Sequence, residues 1–120
     1  MLDNKDTFLE HRKNQEKMHL SNSDTSNPMS SLLTVEISTT ELCNRTCVFC
    51  PRHDPKTYPN LNLHMDLSLA ELIVTQLESV GFKGIVNISG IGEATLTTYL
   101  SDIVKKFGDR NIHTEIVTNG

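Results

Sequence analysis

The three cysteines of this 120-residue chain all lie within eight residues, and this clustering constrains the molecule more than any other feature of the sequence. Cys43, Cys47 and Cys50 follow the spacing C-x3-C-x2-C. Thiolates this close together hold a metal ion or a metal cluster, or form a strained disulfide. A structural zinc site usually takes four protein ligands, whereas an iron–sulfur cluster tolerates an iron that the protein leaves open. Three cysteines without a fourth therefore favour an iron–sulfur cluster. A zinc site with His53 as the fourth ligand is the alternative hypothesis.

The hydrophobic pattern after residue 31 alternates between short strands and amphipathic helices. Apolar or alternating segments predict three strands, over residues 32–38, 85–89 and 112–118. Apolar residues at steps of three and four predict two helices, which end at Gly81 and Gly108. Strands that alternate with helices are typical of a parallel sheet with right-handed crossovers. We therefore predict an α/β fold with the order βαβαβ.

The first predicted helix has an identifiable start, and both predicted helices have an apolar face. Asp66 or Ser68 is a candidate N-cap, and Glu71, three residues after Ser68, completes a capping-box pattern. The predicted core face of the first helix consists of Leu69, Leu72, Ile73, Leu77 and Val80. The apolar face of the second consists of Leu96, Tyr99, Leu100, Ile103, Val104 and Phe107. We expect the leucines of the first helix to be core residues without a chemical role.

Polar and glycine-rich segments follow the predicted strands. In alternating α/β folds the site lies at the carboxyl ends of the strands. The cysteines follow the first strand, Gly90-Ile91-Gly92-Glu93-Ala94 follows the second, and Thr118-Asn119-Gly120 ends the third. A cysteine segment directly after the first strand therefore lies where the chemistry is expected.

Residues 1–31 are polar, and we predict an N-terminal extension and linker without chemistry. A thin apolar stripe allows a short helix over residues 7–20, and the Ser- and Asn-rich segment 21–31 resembles a linker. A net charge of -4 gives no indication of nucleic-acid binding, and no apolar run approaches the roughly 20 residues of a membrane span. The cysteines are clustered and odd in number, which is a poor basis for a set of disulfides. The N-terminus has no apolar signal core, and both features fit a protein of the reducing cytosol. We therefore expect a cytoplasmic protein without a nucleic-acid or membrane partner.

The cysteine segment resembles the signature of the radical S-adenosylmethionine (SAM) enzymes. That signature is C-x3-C-x2-C with an aromatic residue before the last cysteine, and Phe49 occupies this position. The resemblance covers about residues 33–120. It implies the N-terminal portion (βαβαβ) of a partial TIM-like (β/α)6 barrel with parallel strands, because the chain ends before a third helix of that pattern. We therefore expect residues 32–120 to be a partial radical SAM core domain, truncated after the third strand.

The resemblance implies two cofactors, a [4Fe–4S] cluster and SAM. Cys43, Cys47 and Cys50 would ligate three irons, and SAM would chelate the fourth through its amino and carboxylate groups. Cofactor contacts are implied for Phe49, Gly90, Gly92, Glu93 and Asn119, with no catalytic residue beyond the cluster and SAM ligands. Reductive cleavage of SAM would then yield a 5′-deoxyadenosyl radical that abstracts hydrogen from a substrate. The family's glycine–glutamate motif usually continues with proline, and this chain has Ala94 there.

The implied partners are SAM, an unknown substrate and an electron donor such as flavodoxin or ferredoxin. Pro51 and Arg52 after the last cysteine resemble the pattern of peptide- and glycan-modifying members, so a peptide or glycan-type substrate is one hypothesis. Two other hypotheses stay open. One is a zinc-binding module without catalysis, in which the three cysteines and His53 are the ligands. The other is a non-catalytic remnant that keeps the motif but does not close its barrel.

Overall fold

The computed structural model describes residues 7–22 and 26–120. The helices are α1 (Thr7–Asn22), α2 (Leu67–Ser79) and α3 (Leu100–Gly108), and the strands are β1 (Thr34–Ile37), β2 (Ile85–Ile88) and β3 (His113–Ile116). Short 3₁₀ turns span Pro28–Ser31, Pro51–His53 and Ala94–Leu96. Each strand has four residues and is shorter than its predicted segment. The predicted order βαβαβ from the first strand onward is confirmed.

The strands form one parallel sheet in the order β1-β2-β3. Thr34 of β1 is in register with Ile85 of β2, which is in register with His113 of β3. Parallel neighbours need a crossover connection, and α2 and α3 supply the two crossovers. The described strands leave the sheet open, with β1 and β3 at its edges. The predicted α/β class with parallel strands is therefore confirmed.

The hydrophobic core joins the central strand to α2 and α3. Val86 and Ile88 of β2 are fully buried, and they share the core with Ile103 and Phe107 of α3 and Val74 of α2. Burial of apolar side chains of this size contributes roughly 1.5–3 kcal/mol each. The core thus fixes the carboxyl end of β2, where the glycine–glutamate segment begins.

The start of α2 is set by Asp66. Its Oδ1 accepts a hydrogen bond from the backbone N–H of Leu69 at 2.7 Å, as an N-cap residue should. The Ser68 hydroxyl donates to the same carboxylate at 2.6 Å. Glu71 does not reach back to the helix start, because it pairs with Lys106 of α3 at 2.8 Å. The prediction of a capping box between Ser68 and Glu71 is therefore wrong.

The core face of α2 is displaced from the predicted one. Ala70, Val74 and Leu77 are buried, whereas Leu69 is 44% exposed and Leu72 is 52% exposed. The predicted face is therefore right in part, since Leu77 is buried and Ile73 and Val80 pack against the core, whereas the burial of Ala70 and Val74 was not predicted. The helix is apolar over much of its circumference, and only packing against the sheet and α3 selects which stripe is buried.

The second predicted helix begins later than its apolar pattern indicates. Leu96 lies in a 3₁₀ turn, and Tyr99, which is 44% exposed, precedes the first helical residue, Leu100. Glu93 caps this 3₁₀ turn, because its carboxylate accepts a hydrogen bond from the Thr95 N–H. The predicted end at Gly108 is confirmed.

The N-terminal part contains the predicted helix, which extends to Asn22. Side chains from Glu10 to Lys17 are exposed apart from the half-buried Gln15. The predicted linker contains a 3₁₀ turn capped by Asn27, whose Oδ1 accepts from the Met29 N–H at 3.1 Å. Residues 1–6 and 23–25 of the predicted extension lie outside the described residues. Within the described ranges, no helix is long and apolar enough to cross a membrane.

Candidate functional site

A cleft of about 260 Å³ lies beyond the carboxyl ends of the strands. Three segments form it, namely the cysteine loop (residues 43–50), the glycine–glutamate loop (residues 90–93) and the segment after β3 (residues 117–119). The lining residues are Cys43, Arg45, Cys47, Phe49, Cys50, Gly90, Ile91, Gly92, Glu93, Val117, Thr118 and Asn119. The structure thus brings together, in one cleft, all the residues for which the sequence predicted metal or cofactor contacts.

Glu93 connects the glycine–glutamate loop to the segment after β3. The residue is 3% exposed. Its Oε1 accepts from the Thr95 N–H at 3.1 Å, the Thr95 hydroxyl at 2.7 Å and the Thr118 hydroxyl at 2.7 Å. Its Oε2 accepts from the Asn119 N–H at 2.8 Å. A carboxylate oxygen offers about two acceptor positions, so Oε1 is saturated and Oε2 can take one further donor.

The hydrogen bonds to Glu93 keep its carboxylate ionised. Burial alone would raise the pKa, but the hydrogen bonds from Thr118, Asn119 and Thr95 favour the charged form and lower the pKa from 4.5 to about 2. Glu93 is therefore a fixed negative charge at the wall of the cleft at neutral pH. Its interactions hold the loop and leave one acceptor position open.

Asn119 connects the segment after β3 to the cysteine loop. Its Nδ2 donates to Oδ1 of Asn44 at 3.0 Å and lies 3.8 Å from Sγ of Cys43. Its backbone N–H is held by Glu93. The side chain therefore lies in the lining of the cleft beside the first cysteine of the motif.

Gly92 permits close packing of the glycine–glutamate loop on the chain that leads to Cys43. A Cβ atom at this position would lie 2.0 Å from the Thr40 carbonyl oxygen and 3.0 Å from that of Leu42. Glu93 donates its N–H to the same Leu42 carbonyl at 2.8 Å. The glycine is thus required by backbone contact within the protein.

Gly90 is required for two reasons. Its φ is +115°, which side chains of L-residues rarely allow, and a Cβ there would lie 2.6 Å from Oγ of Ser38. Ser89, the residue before it, donates its N–H to Ile37 at 3.0 Å and keeps an unpartnered, buried hydroxyl oxygen among the described residues. Both glycines therefore hold the second loop against the end of β1.

The cysteines are free thiols at half-buried positions. Backbone hydrogen bonds make tight turns around Cys50, whose N–H donates to Cys47 at 3.0 Å and whose carbonyl accepts from the His53 N–H at 2.9 Å. His53 itself is exposed and is not among the residues that line the cleft. In the described part of the chain, no group of three His, Cys, Asp or Glu side chains is placed to hold a metal ion. The zinc hypothesis with His53 therefore gains no support.

Phe49 faces the open side of the cleft. It is 89% exposed, and its neighbour Val48 is 79% exposed. This exposure is inconsistent with a role of Phe49 in packing the cysteine loop against the sheet. An aromatic ring presented this way offers a flat apolar face to a ligand.

The sequence pattern predicted no role at the site for Arg45 and Asn60. It indicated Arg52 only as part of the resemblance to peptide- and glycan-modifying enzymes. Arg45 is the cationic residue in the cleft lining. Asn60 binds the backbone of Cys43 from a distant loop, and Arg52 is 3% exposed and donates to Asn60 at 3.2 Å. Nothing in the local pattern signals these roles, because Asn60 and Cys43 are 17 residues apart and meet only in the folded chain.

Comparison with known proteins supports the fold. No family model and no curated protein matches this chain. Among solved structures, it is similar to the radical SAM enzyme BtrN in complex with AdoMet and 2-DOIA, with a TM-score of 0.63 and 28% identity. The fold is radical SAM-like. The match covers 74% of this chain and 37% of the BtrN chain, so the chain spans little more than a third of that enzyme. The open parallel sheet is consistent with part of a TIM-like barrel.

Proposed function

We propose that this chain is a radical SAM iron–sulfur protein, in which Cys43, Cys47 and Cys50 hold a [4Fe–4S] cluster and the adjoining cleft binds SAM. The observation that carries the proposal is the convergence of all three cysteines with the glycine–glutamate loop in one cleft. The likeness to BtrN, whose structure contains AdoMet, supports it. On this proposal residues 32–120 are the partial core domain of a cytoplasmic protein and residues 1–31 an extension.

The number of thiols suits a cluster better than a single ion. A structural zinc site usually takes four protein ligands, and His53, the candidate for the fourth, is exposed and does not line the cleft. In a cluster each thiolate binds a different iron. Three cysteines would hold three irons and leave one iron for a ligand that is not protein.

The polar groups of the cleft suit the methionine end of SAM. The ionised carboxylate of Glu93 attracts the ammonium and sulfonium charges, and its Oε2 retains one acceptor position. Arg45, in the lining of the same cleft, attracts the carboxylate of SAM. We propose that Phe49, which is 89% exposed, contacts the adenine and that Asn119 lines the pocket next to Cys43.

The chemistry would come from the cofactors, and the protein would bind and orient them. When bound, the cluster would supply the electron for reductive cleavage of SAM, whose 5′-deoxyadenosyl radical would abstract hydrogen from the substrate. The electron donor would be a protein such as flavodoxin or ferredoxin, and a peptide or glycan-type molecule is one candidate for the unknown substrate. Gly90 and Gly92 hold the second loop where the charge of Glu93 faces the cleft.

The test is anaerobic reconstitution with iron and sulfide, followed by metal and sulfide analysis. We expect a brown protein with about four irons per chain. Replacing Cys43, Cys47 or Cys50 by alanine removes the cluster, and His53→Ala, the matched control, leaves it intact. Stoichiometric zinc that is lost in His53→Ala, without a sulfide-dependent colour, would favour the zinc-binding module instead.

A further inference from the structure

The chain that enters the cysteine loop runs antiparallel to a segment that returns toward α2. Met65 donates its N–H to the Thr39 carbonyl at 2.8 Å, and Glu41 donates its N–H to the Leu63 carbonyl at 2.9 Å. An isolated antiparallel bridge lies between these two bonds. Every second residue donates in such a ladder, so the next donor is the N–H of Cys43.

Asn60 continues this ladder with its side chain in place of the backbone. Its Oδ1 accepts from the Cys43 N–H at 2.9 Å, and its Nδ2 donates to the Cys43 carbonyl at 3.0 Å. A carboxamide offers the same donor and acceptor as a peptide group, so the Asn60 side chain takes the place of a backbone partner for Cys43. Both backbone polar groups of Cys43 are thereby fixed, and with them the direction of its Cα–Cβ bond.

Arg52 holds Asn60 in position. The Arg52 side chain is 3% exposed, and its Nη1 donates to Oδ1 of Asn60 at 3.2 Å and to the Pro59 carbonyl at 3.1 Å. Its guanidinium carbon lies 5.0 Å from the centre of the Tyr58 ring. Within the described residues no carboxylate forms an ion pair with Arg52, and its Nε and Nη2 have no partner. Burial of an unpaired charge lowers the free energy of unfolding, so stability alone does not explain the buried position of Arg52.

We propose that Asn60 and Arg52 are positioning residues that fix the direction of the Cys43 thiol before any cofactor binds. Arg52 acts through Asn60. Because Arg52 follows Cys50 by two residues and Asn60 binds Cys43, the pair also ties the two ends of the cysteine loop together. The inference rests on the proposed function only for its consequence, the binding of a cluster at Cys43.

The experiment measures hydrogen exchange of the Cys43 amide in the metal-free chain by NMR. We expect Asn60→Ala to accelerate this exchange at least about tenfold, because the amide loses its acceptor. Asn60→Asp keeps an acceptor for the amide and loses the donor to the carbonyl, so a smaller acceleration is expected. The Glu41 amide should keep its exchange rate in both variants.

Arg52→Gln tests the indirect role. It should accelerate exchange at Cys43 in the wild-type background and add nothing in the Asn60→Ala background, since Arg52 acts through Asn60. Lys56→Gln is the matched control, because it removes an exposed positive charge from the same segment and should leave the Cys43 amide unchanged. If Arg52→Gln accelerates exchange of the Cys43 amide equally in the wild-type and Asn60→Ala backgrounds, the proposed coupling is overturned.

Unchanged Cys43 exchange in Asn60→Ala would overturn the proposal. So would acceleration of equal size at Cys43 and at Ile88 of the central strand, because that result indicates a global loss of stability. After reconstitution we expect the electron paramagnetic resonance spectrum of the reduced cluster to change in Asn60→Asp and not in Lys56→Gln, and unchanged spectra would count against a positioning role. Failure of the wild-type chain to bind iron would overturn the proposed function alone, because the exchange is measured without metal.

Discussion

Glu93 shows how one residue can be both a structural acceptor and a charge at the site. Its carboxylate accepts hydrogen bonds from Thr95, Thr118 and Asn119, so it joins two of the three segments that form the cleft. Three of the four bonds go to Oε1. The sequence-based prediction that Glu93 supports a cofactor and the observed role in holding the loop are therefore compatible, since they use different acceptor positions.

The carboxylate of Glu93 should make stability depend on pH in the acid range. The pKa of Glu93 is about 2 in the folded chain against an ordinary value of 4.5, so the unfolded chain binds more protons between these values. The contribution is complete above pH 4.5 and is lost as the pH falls toward 2, and it amounts to at most about 3 kcal/mol. Urea unfolding at a series of pH values measures it.

Glu93→Gln is the reference for this prediction. Other carboxylates with lowered pKa values, Asp54, Asp66 and Glu71, contribute equally to both proteins and cancel in the difference. The difference in unfolding free energy between wild type and variant should shrink as the pH falls below 4.5. A difference that stays constant down to pH 3 would contradict the lowered pKa.

At the scale of the helices, α2 and α3 are joined by charge as well as by the core. Glu71 of α2 binds Lys106 at 2.8 Å and Arg110 at 2.7 Å, and these two contacts lower its pKa. The side chain of Glu71 is 40% exposed, so the pairs contribute modestly to stability. These pairs accompany the orientation in which Ala70, Val74 and Leu77 of α2 face the core.

The orientation of α2 predicts unequal effects for two chemically identical substitutions. Leu77 is 8% exposed and Leu72 is 52% exposed. Leu77→Ala should lower the free energy of unfolding by about 2–4 kcal/mol because it leaves a cavity in the core. Leu72→Ala should lower it by less than about 1 kcal/mol. Urea unfolding at neutral pH distinguishes them, and equal losses would show that Leu72 belongs to the core, as the sequence predicted.

At the scale of the whole molecule, the sheet presents a polar face on the side away from α2 and α3. Glu36 of β1, Asn87 of β2 and Glu115 of β3 are in register, and they alternate with the buried residues Val86 and Ile88. Glu36 is exposed, and Asn87 and Glu115 are half-buried. Water therefore reaches the side of the sheet that would lie inside a closed barrel.

This openness predicts little productive turnover by the 120-residue chain. A radical formed beside Phe49, which is 89% exposed, would meet water and reductant before a positioned substrate. We expect reconstituted protein with SAM and a strong reductant to form at most about one 5′-deoxyadenosine per chain. Cys47→Ala provides the background. Sustained turnover by the wild-type chain would show that these three strands suffice for catalysis.

The sequence by itself determined the class of the fold and the segments of the site. Alternation of apolar segments predicted the βαβαβ order, because strand and helix periods are local properties of the chain. Because the cysteine loop and the glycine–glutamate segment follow their strands, the sequence predicted a candidate site at the carboxyl ends, and the structure brings these segments together in one cleft there. The resemblance to the radical SAM family identified the same residues.

Tertiary structure alone decided which groups contact one another. The buried face of α2 depends on what packs against it, so Leu72 and Leu77 could not be distinguished by periodicity. Glu93, which caps the turn before α3, has its partners in Thr118 and Asn119, which come 25 and 26 residues later. Asn60 reaches Cys43 only because the chain folds back antiparallel to itself. Such contacts depend on distances between residues far apart in sequence, and a local pattern contains no information about those distances.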